Sequence, residues 1–103
     1  MTEAVANPAA ASVARIATPN AAKYLVQLCK HFQHKLPAEW TENAGSIEFT
    51  AGRCRLSAAD GELVISLASP DEALLRQLED VVARHLVRFA FREELAIAWS
   101  RAA

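Results

Sequence analysis

Residues 46–69 read SIEFTAGRCRLSAADGELVISLAS, and this stretch decides the fold. Apolar and polar residues alternate with the period of two that sends successive side chains to opposite faces of a strand. Ile47, Phe49 and Ala51 alternate with Ser46, Glu48 and Thr50. Cys54, Leu56 and Ala58 alternate with Arg53, Arg55 and Ser57, and Leu63, Ile65 and Leu67 with Val64 and Ser66. Asp60-Gly61 is a strong hairpin signal, because a two-residue turn between strands favours residues that tolerate positive φ. A two-residue turn there pairs Ala58 with Leu63 and Leu56 with Ile65. A similar turn at Ala51-Gly52 pairs Phe49 with Cys54 and Ile47 with Leu56. Every pair then shares one apolar face, and a one-residue slip would break the agreement. The same register sets Glu48 opposite Arg55 on the outer, polar face.

Outward from this core the pattern continues on both sides. Upstream, Leu36, Ala38 and Trp40 alternate with Pro37, Glu39 and Thr41, and Asn43-Ala44-Gly45 makes a turn, which completes a four-strand meander. Downstream, Ser69-Pro70-Asp71-Glu72 opens a helix: Ser69 as cap, Pro70 in the first turn, and Glu72 completing a capping box. Leu74, Leu75, Leu78, Val81, Val82, His85, Leu86 and Phe89 form its apolar stripe, and the helix is expected to reach about Ala90. Leu95–Trp99 alternates large and small residues. It reads as a last strand, with a continuing helix as the alternative.

Before the meander, Thr18-Pro19-Asn20 starts another helix, with Thr18 as N-cap and Asn20 as rival. Its buried stripe is Ala21, Leu25, Leu28, Cys29 and Phe32, with Lys23, Gln27, Lys30 and His34 on the wet side. Leu36-Pro37 ends it, since the residue before proline avoids the α region. Ser12–Thr18 reads as a first strand. Residues 1–11 are alanine-rich and read as a flexible tail, leaving 12–103 as one domain. The predicted order is β-α-β-β-β-β-α-β, an α+β fold. An antiparallel sheet with two helices packed on one face satisfies every stripe, in a TATA-binding-protein-like or elaborated ferredoxin-like arrangement.

Composition bounds the function. The chain has 103 residues, 52% of them apolar and 22% charged, which suits one folded domain. A net charge of −1 lacks the basic excess that nucleic-acid binding needs. No apolar run approaches a membrane span, and residues 1–15 lack the pattern of a signal peptide. A cytoplasmic location with reduced Cys29 and Cys54 is therefore expected.

The chemistry-bearing residues cluster at the end of the first helix. Cys29, His31 and His34 spell C-x-H-x-x-H. Helix geometry puts His31 and His34 about 60° apart, close enough to share a metal, but Cys29 about 200° from His31. Cys29 therefore belongs to the core, and a transition-metal site at His31 and His34, for iron or zinc, needs a ligand from elsewhere, such as Glu39 or another chain. Lys30, His31, His34 and Lys35 also form a candidate ligand-binding patch for an anionic ligand, a metal or a partner. The competing explanation is that these cations simply complement the helix dipole. His85 reads as a core histidine. Its pairing with Cys29 or Cys54, which could activate a thiolate, is the only catalytic constellation in view.

The segments Leu28–Lys35 (LCKHFQHK), Ala14–Ala21, Leu78–Val82 and His85–Leu95 resemble the bacterial domain of unknown function 2218 family over roughly residues 12–101. That family has no established activity. The resemblance implies a link to siderophore-interacting and iron-uptake proteins, and hence a binding or accessory role in iron handling. The alternatives are a module that dimerises through the outer sheet face, where Glu48, Arg53 and Arg55 lie, or through an edge strand, and an enzyme built on a Cys–His pair.

Overall fold

The computed structural model describes residues 10–101. The elements run β1 (Ala10–Ala17), α1 (Ala21–Gln33), β2 (Ala38–Trp40), β3 (Ala44–Phe49), β4 (Gly52–Ala59), β5 (Glu62–Ser69), α2 (Glu72–Phe89) and β6 (Ser100–Arg101). The expected α+β order is therefore present. The expected tail lies outside the described residues except for Ala10 and Ala11, which begin β1.

The six strands form one antiparallel sheet in the order β2-β3-β4-β5-β1-β6. Alternation gives the sheet a single apolar face: Ala14, Ile16, Ile47, Cys54, Leu56, Leu63, Ile65 and Leu67 are buried there. Leu25, Leu28 and Cys29 of α1 and Leu75, Leu78, Val82 and Leu86 of α2 close the same core. Tyr24 joins them at 4% exposure, although its polar end leaves it out of a stripe read from hydrophobicity alone. Gln27, expected on the wet side, is half-buried.

The β4–β5 hairpin has the expected register, Ala58 with Leu63 and Leu56 with Ile65. Asp60 and Gly61 both take positive φ, 52° and 72°, as a two-residue turn of this kind requires. The β3–β4 hairpin turns one residue earlier than expected, at Thr50-Ala51, so Ile47 pairs with Cys54 and Glu48 with Arg53. The pairing shifts by two, so the apolar face is preserved. Gly52 is thereby freed to be a strand residue pressed against β5. A Cβ there would lie 2.1 Å from the Ala68 carbonyl oxygen. Glu48 accepts a hydrogen bond from Arg53 at 2.7 Å across the hairpin, in place of the expected Arg55 pair.

Both helices start later than their hydroxyl residues indicate. Asn20 and Asp71 are the N-caps, and the Asp71 carboxylate accepts from the Leu74 N–H at 2.8 Å. Ser69 instead donates to the Ala51 carbonyl at 2.8 Å, tying β5 to the neighbouring hairpin turn. Tertiary hydrogen bonding outcompetes local capping here, and the capping box with Glu72 does not form.

Leu95–Trp99 is neither strand nor helix. It is irregular chain with Leu95, Ile97 and Trp99 half-buried against the core, and only Ser100 and Arg101 pair, with Val13 and Ser12. Side-chain burial supplies the alternation without a partner strand.

Candidate functional site

The C-terminal turn of α1 meets α2 and the end of β3. Phe32 is the centre of this junction. Its ring lies 4.9 Å from Phe49 and 4.8 Å from His85, centroid to centroid. His31 sits 5.0 Å from His85, 5.0 Å edge-on to Phe32 and 5.7 Å edge-on to Phe89. Such edge-on and tilted arrangements favour ring pairs electrostatically. His31, Phe32, His34, Lys35, Leu36, Phe49, Val81 and His85 line a groove of about 420 Å3.

The structure therefore brings His31, His34 and Lys35 of the expected patch into one groove. Lys30 is exposed outside its lining, and Glu39, weighed as a further metal ligand, is exposed on β2 and also lies outside it. The sequence reading missed His85 as a member of the site. It sits half-buried on α2, with Nδ1 2.7 Å from the Val81 carbonyl oxygen. A carbonyl only accepts, so Nδ1 carries the proton. In neutral His85, Nε2 is then left with its lone pair. Its position in an i+4 row of α2 was readable. Which residue of α1 it would face was not, because the relative placement of two helices is set by packing rather than by either helix alone.

Lys35 brings a positive charge to the groove lining, and among the described residues no carboxylate joins it there. His31 has its pKa lowered, first by burial of the ring against its neighbours, then by the positive charges of His85, His34 and Arg88. The residue as a whole is still exposed. An anion bound beside His31 would offset the repulsion from those positive charges. Among the described residues, no group of three or more His, Cys, Asp or Glu side chains is placed to hold a metal ion.

The cysteines take no part. Cys29 and Cys54 are both fully buried, and burial pushes the Cys29 thiol up to about 11 and that of Cys54 higher still. A nucleophilic thiolate needs the opposite shift. His85 bonds the Val81 carbonyl on its own helix and turns its ring to His31 and Phe32.

A second polar cluster ties the start of α1 to the chain after α2. The Glu93 carboxylate accepts hydrogen bonds from the Thr18 hydroxyl at 2.8 Å, the Asn20 amide at 2.7 Å and the Tyr24 hydroxyl. These donors hold the Glu93 pKa below the ordinary carboxylate value, Tyr24 contributing most, and the same bond raises the Tyr24 pKa. Tyr24 beside Glu93 and Phe32 beside His85 show the helices meeting in opposite senses, which is what delivers His31 to His85. At the other end of α2, Arg101 clasps Glu79 at 2.7 Å and also pairs with Glu72. The clasp lowers the Glu72 pKa and raises that of Arg101.

This architecture recurs in a solved structure. The NMR structure of PA4090 from Pseudomonas aeruginosa aligns with a TM-score of 0.75 and 41% sequence identity, over 88% of this chain and 95% of that one. No curated protein matches the chain. Residues 13–100 match the family described as an uncharacterised protein conserved in bacteria, DUF2218. With the match spanning nearly the whole domain, the chain belongs to the DUF2218 family.

Proposed function

We propose that this protein is a non-enzymatic binding domain whose groove takes a planar, anionic aromatic ligand of the kind that siderophores carry, and that it serves iron handling in the cytoplasm as an accessory to a siderophore-interacting partner. One observation carries the reading: Phe32, Phe49, His31 and His85 form a ring-lined groove with His34 and Lys35 in its lining. Ring walls favour a flat ligand, and the cationic rim favours a carboxylate or catecholate. A siderophore brings its own iron. The site then needs no complete metal cage, and His31 and His34 act as donors to the bound complex or as direct ligands of iron or zinc.

The test is a titration followed by the imidazole NMR signals, using dihydroxybenzoate, its ferric complex, benzoate, and iron or zinc alone. The expected result is that dihydroxybenzoate or its ferric complex shifts the His31 and His85 signals. The His31→Ala/His34→Ala double variant should weaken that binding at least about tenfold, the equivalent of one lost charge-assisted contact. Silence of every probe would sink the reading. A response to the bare metals alone would restrict it to a metal site.

A second reading, dimerisation through the outer sheet face, is favoured by that face having no helix over it among the described residues, with Arg53, Arg55 and Glu48 exposed there. Light scattering distinguishes the two, because a strict monomer removes the second reading and leaves the groove untouched.

A further inference from the structure

The end of α2 presents a surface that the groove does not use. Among the described residues the exposed large hydrophobics are Val87 and Phe91, at 53% and 75% exposure. Both lie within residues 84–92, a stretch with three arginines, Arg84, Arg88 and Arg92, and no acid. Exposed apolar residues rimmed by charge mark contact surfaces, and arginine and phenylalanine are the residue types enriched in them. Arg84 is held by Asp80 at 2.9 Å. Among the described residues, Arg88 and Arg92 have no carboxylate at ion-pair distance. The Arg92 guanidinium instead lies 5.3 Å over the Phe91 ring, an arrangement that keeps the cation and the ring together at the surface. Lys23 lines the same hollow as Phe91 and Arg92.

We infer that the C-terminal end of α2 is a docking surface for an acidic, amphipathic peptide segment of a partner protein, whose apolar side chains cover Val87 and Phe91 and whose carboxylates meet Arg88 and Arg92. Charge selects this occupant over the others. A second copy of the chain offers no matching acids from the same helix, because Glu72 and Glu79 are clasped by Arg101 and Asp80 by Arg84. Polybasic capture by anionic lipid takes roughly four to eight clustered cations. Here the stretch offers three arginines, one of them already held by Asp80. Nucleic acid is disfavoured by the net charge of −1.

The test uses the intact protein and a synthetic helical peptide with glutamates one turn apart beside a leucine stripe, labelled for fluorescence anisotropy. Controls are the same peptide with lysines for glutamates and vesicles of phosphatidylglycerol. The glutamate peptide should bind and the lysine peptide should not. Arg88→Glu and Phe91→Ser should each weaken binding about tenfold or more, and salt should weaken it for the wild type. Both side chains are exposed, so circular dichroism should show unchanged folding. Failure of the glutamate peptide to bind at about 1 mM overturns the inference. So does equal binding of both peptides, binding unaffected by the two substitutions, or capture by the vesicles in place of the peptide.

Discussion

Gly45→Ala probes whether the cysteine beside the histidines is a packing residue. A Cβ at Gly45 would lie 2.8 Å from the Cys29 sulfur, 3.2 Å from Leu25 Cδ2 and 3.4 Å from the Glu39 carbonyl oxygen. The last contact is ordinary and the second needs a small adjustment. The first forces the sulfur to move, and Cys29 is fully buried. Overpacking of this kind costs about 1–3 kcal/mol. The reduced freedom of the unfolded chain offsets about 0.4–1 kcal/mol, since Gly45 is not a positive-φ glycine. The net loss is therefore about 1–2 kcal/mol. Cys29→Ala alone removes one buried atom and should cost about 1 kcal/mol, as for a deleted methyl group. In the double variant the new methyl occupies the space the sulfur left. It should be more stable than Gly45→Ala alone, with a coupling of about 1 kcal/mol or more. Urea unfolding of the four proteins measures the cycle. Additivity within about 0.5 kcal/mol would refute the reasoning, because it would mean that the two side chains do not compete for one space.

Five further outcomes follow from the same structure. Gly52→Ala should cost about 3 kcal/mol or more in urea unfolding, because its Cβ would collide with the Ala68 carbonyl and the Ser69 hydroxyl at a φ of 156° that side chains rarely adopt. Glu93 has a lowered pKa, so its stabilisation is full above the ordinary glutamate value of 4.5 and is lost as pH falls through its lower folded value. Thermal melts between pH 7 and pH 3 (approximate limits) should accordingly show a shallower acid loss for Glu93→Gln than for the wild type. His31 also has a lowered pKa but is a base, so the fold loses stability as pH drops below 6.5, and His31→Gln should flatten that slope. An anion in the groove raises the His31 pKa, so binding of dihydroxybenzoate should take up a proton and tighten as pH falls from about 7.5 to 6, as calorimetry in two buffers can measure. Iodoacetamide should leave Cys29 and Cys54 unmodified in the native state and label both in urea, as mass spectrometry would report.

What could be read in the chain and what could not divide along a physical line. Alternation at Ile47–Leu67 and the Asp60-Gly61 turn are local signals, and they located the meander and its buried face. The Thr50-Ala51 turn escaped because the glycine beside it is needed for close approach to β5, a constraint that arises only once β4 and β5 pair. Thr18 and Ser69 looked like caps because capping is a local option for hydroxyls. In the fold, Thr18 donates to Glu93, seventy-five residues away in sequence, and Ser69 donates to Ala51. The candidate site follows the same division. His31, His34 and Lys35 were visible as a cluster in one helix turn, and Cys29 was separable from them by angle alone. His85 and Phe49 entered only when two helices and a strand end were brought together.

The rims of the sheet carry a consequence for behaviour in crowded solution. β2 has three residues and β6 two, while the eight-residue strands β1, β4 and β5 are all interior. A growing fibril needs a long row of open amide and carbonyl groups as a template, and these rims offer only stubs. Among the described residues, β2 and β6 are therefore poor templates for strand addition, and the rims favour contacts through side chains, where charge and shape can discriminate, over backbone pairing.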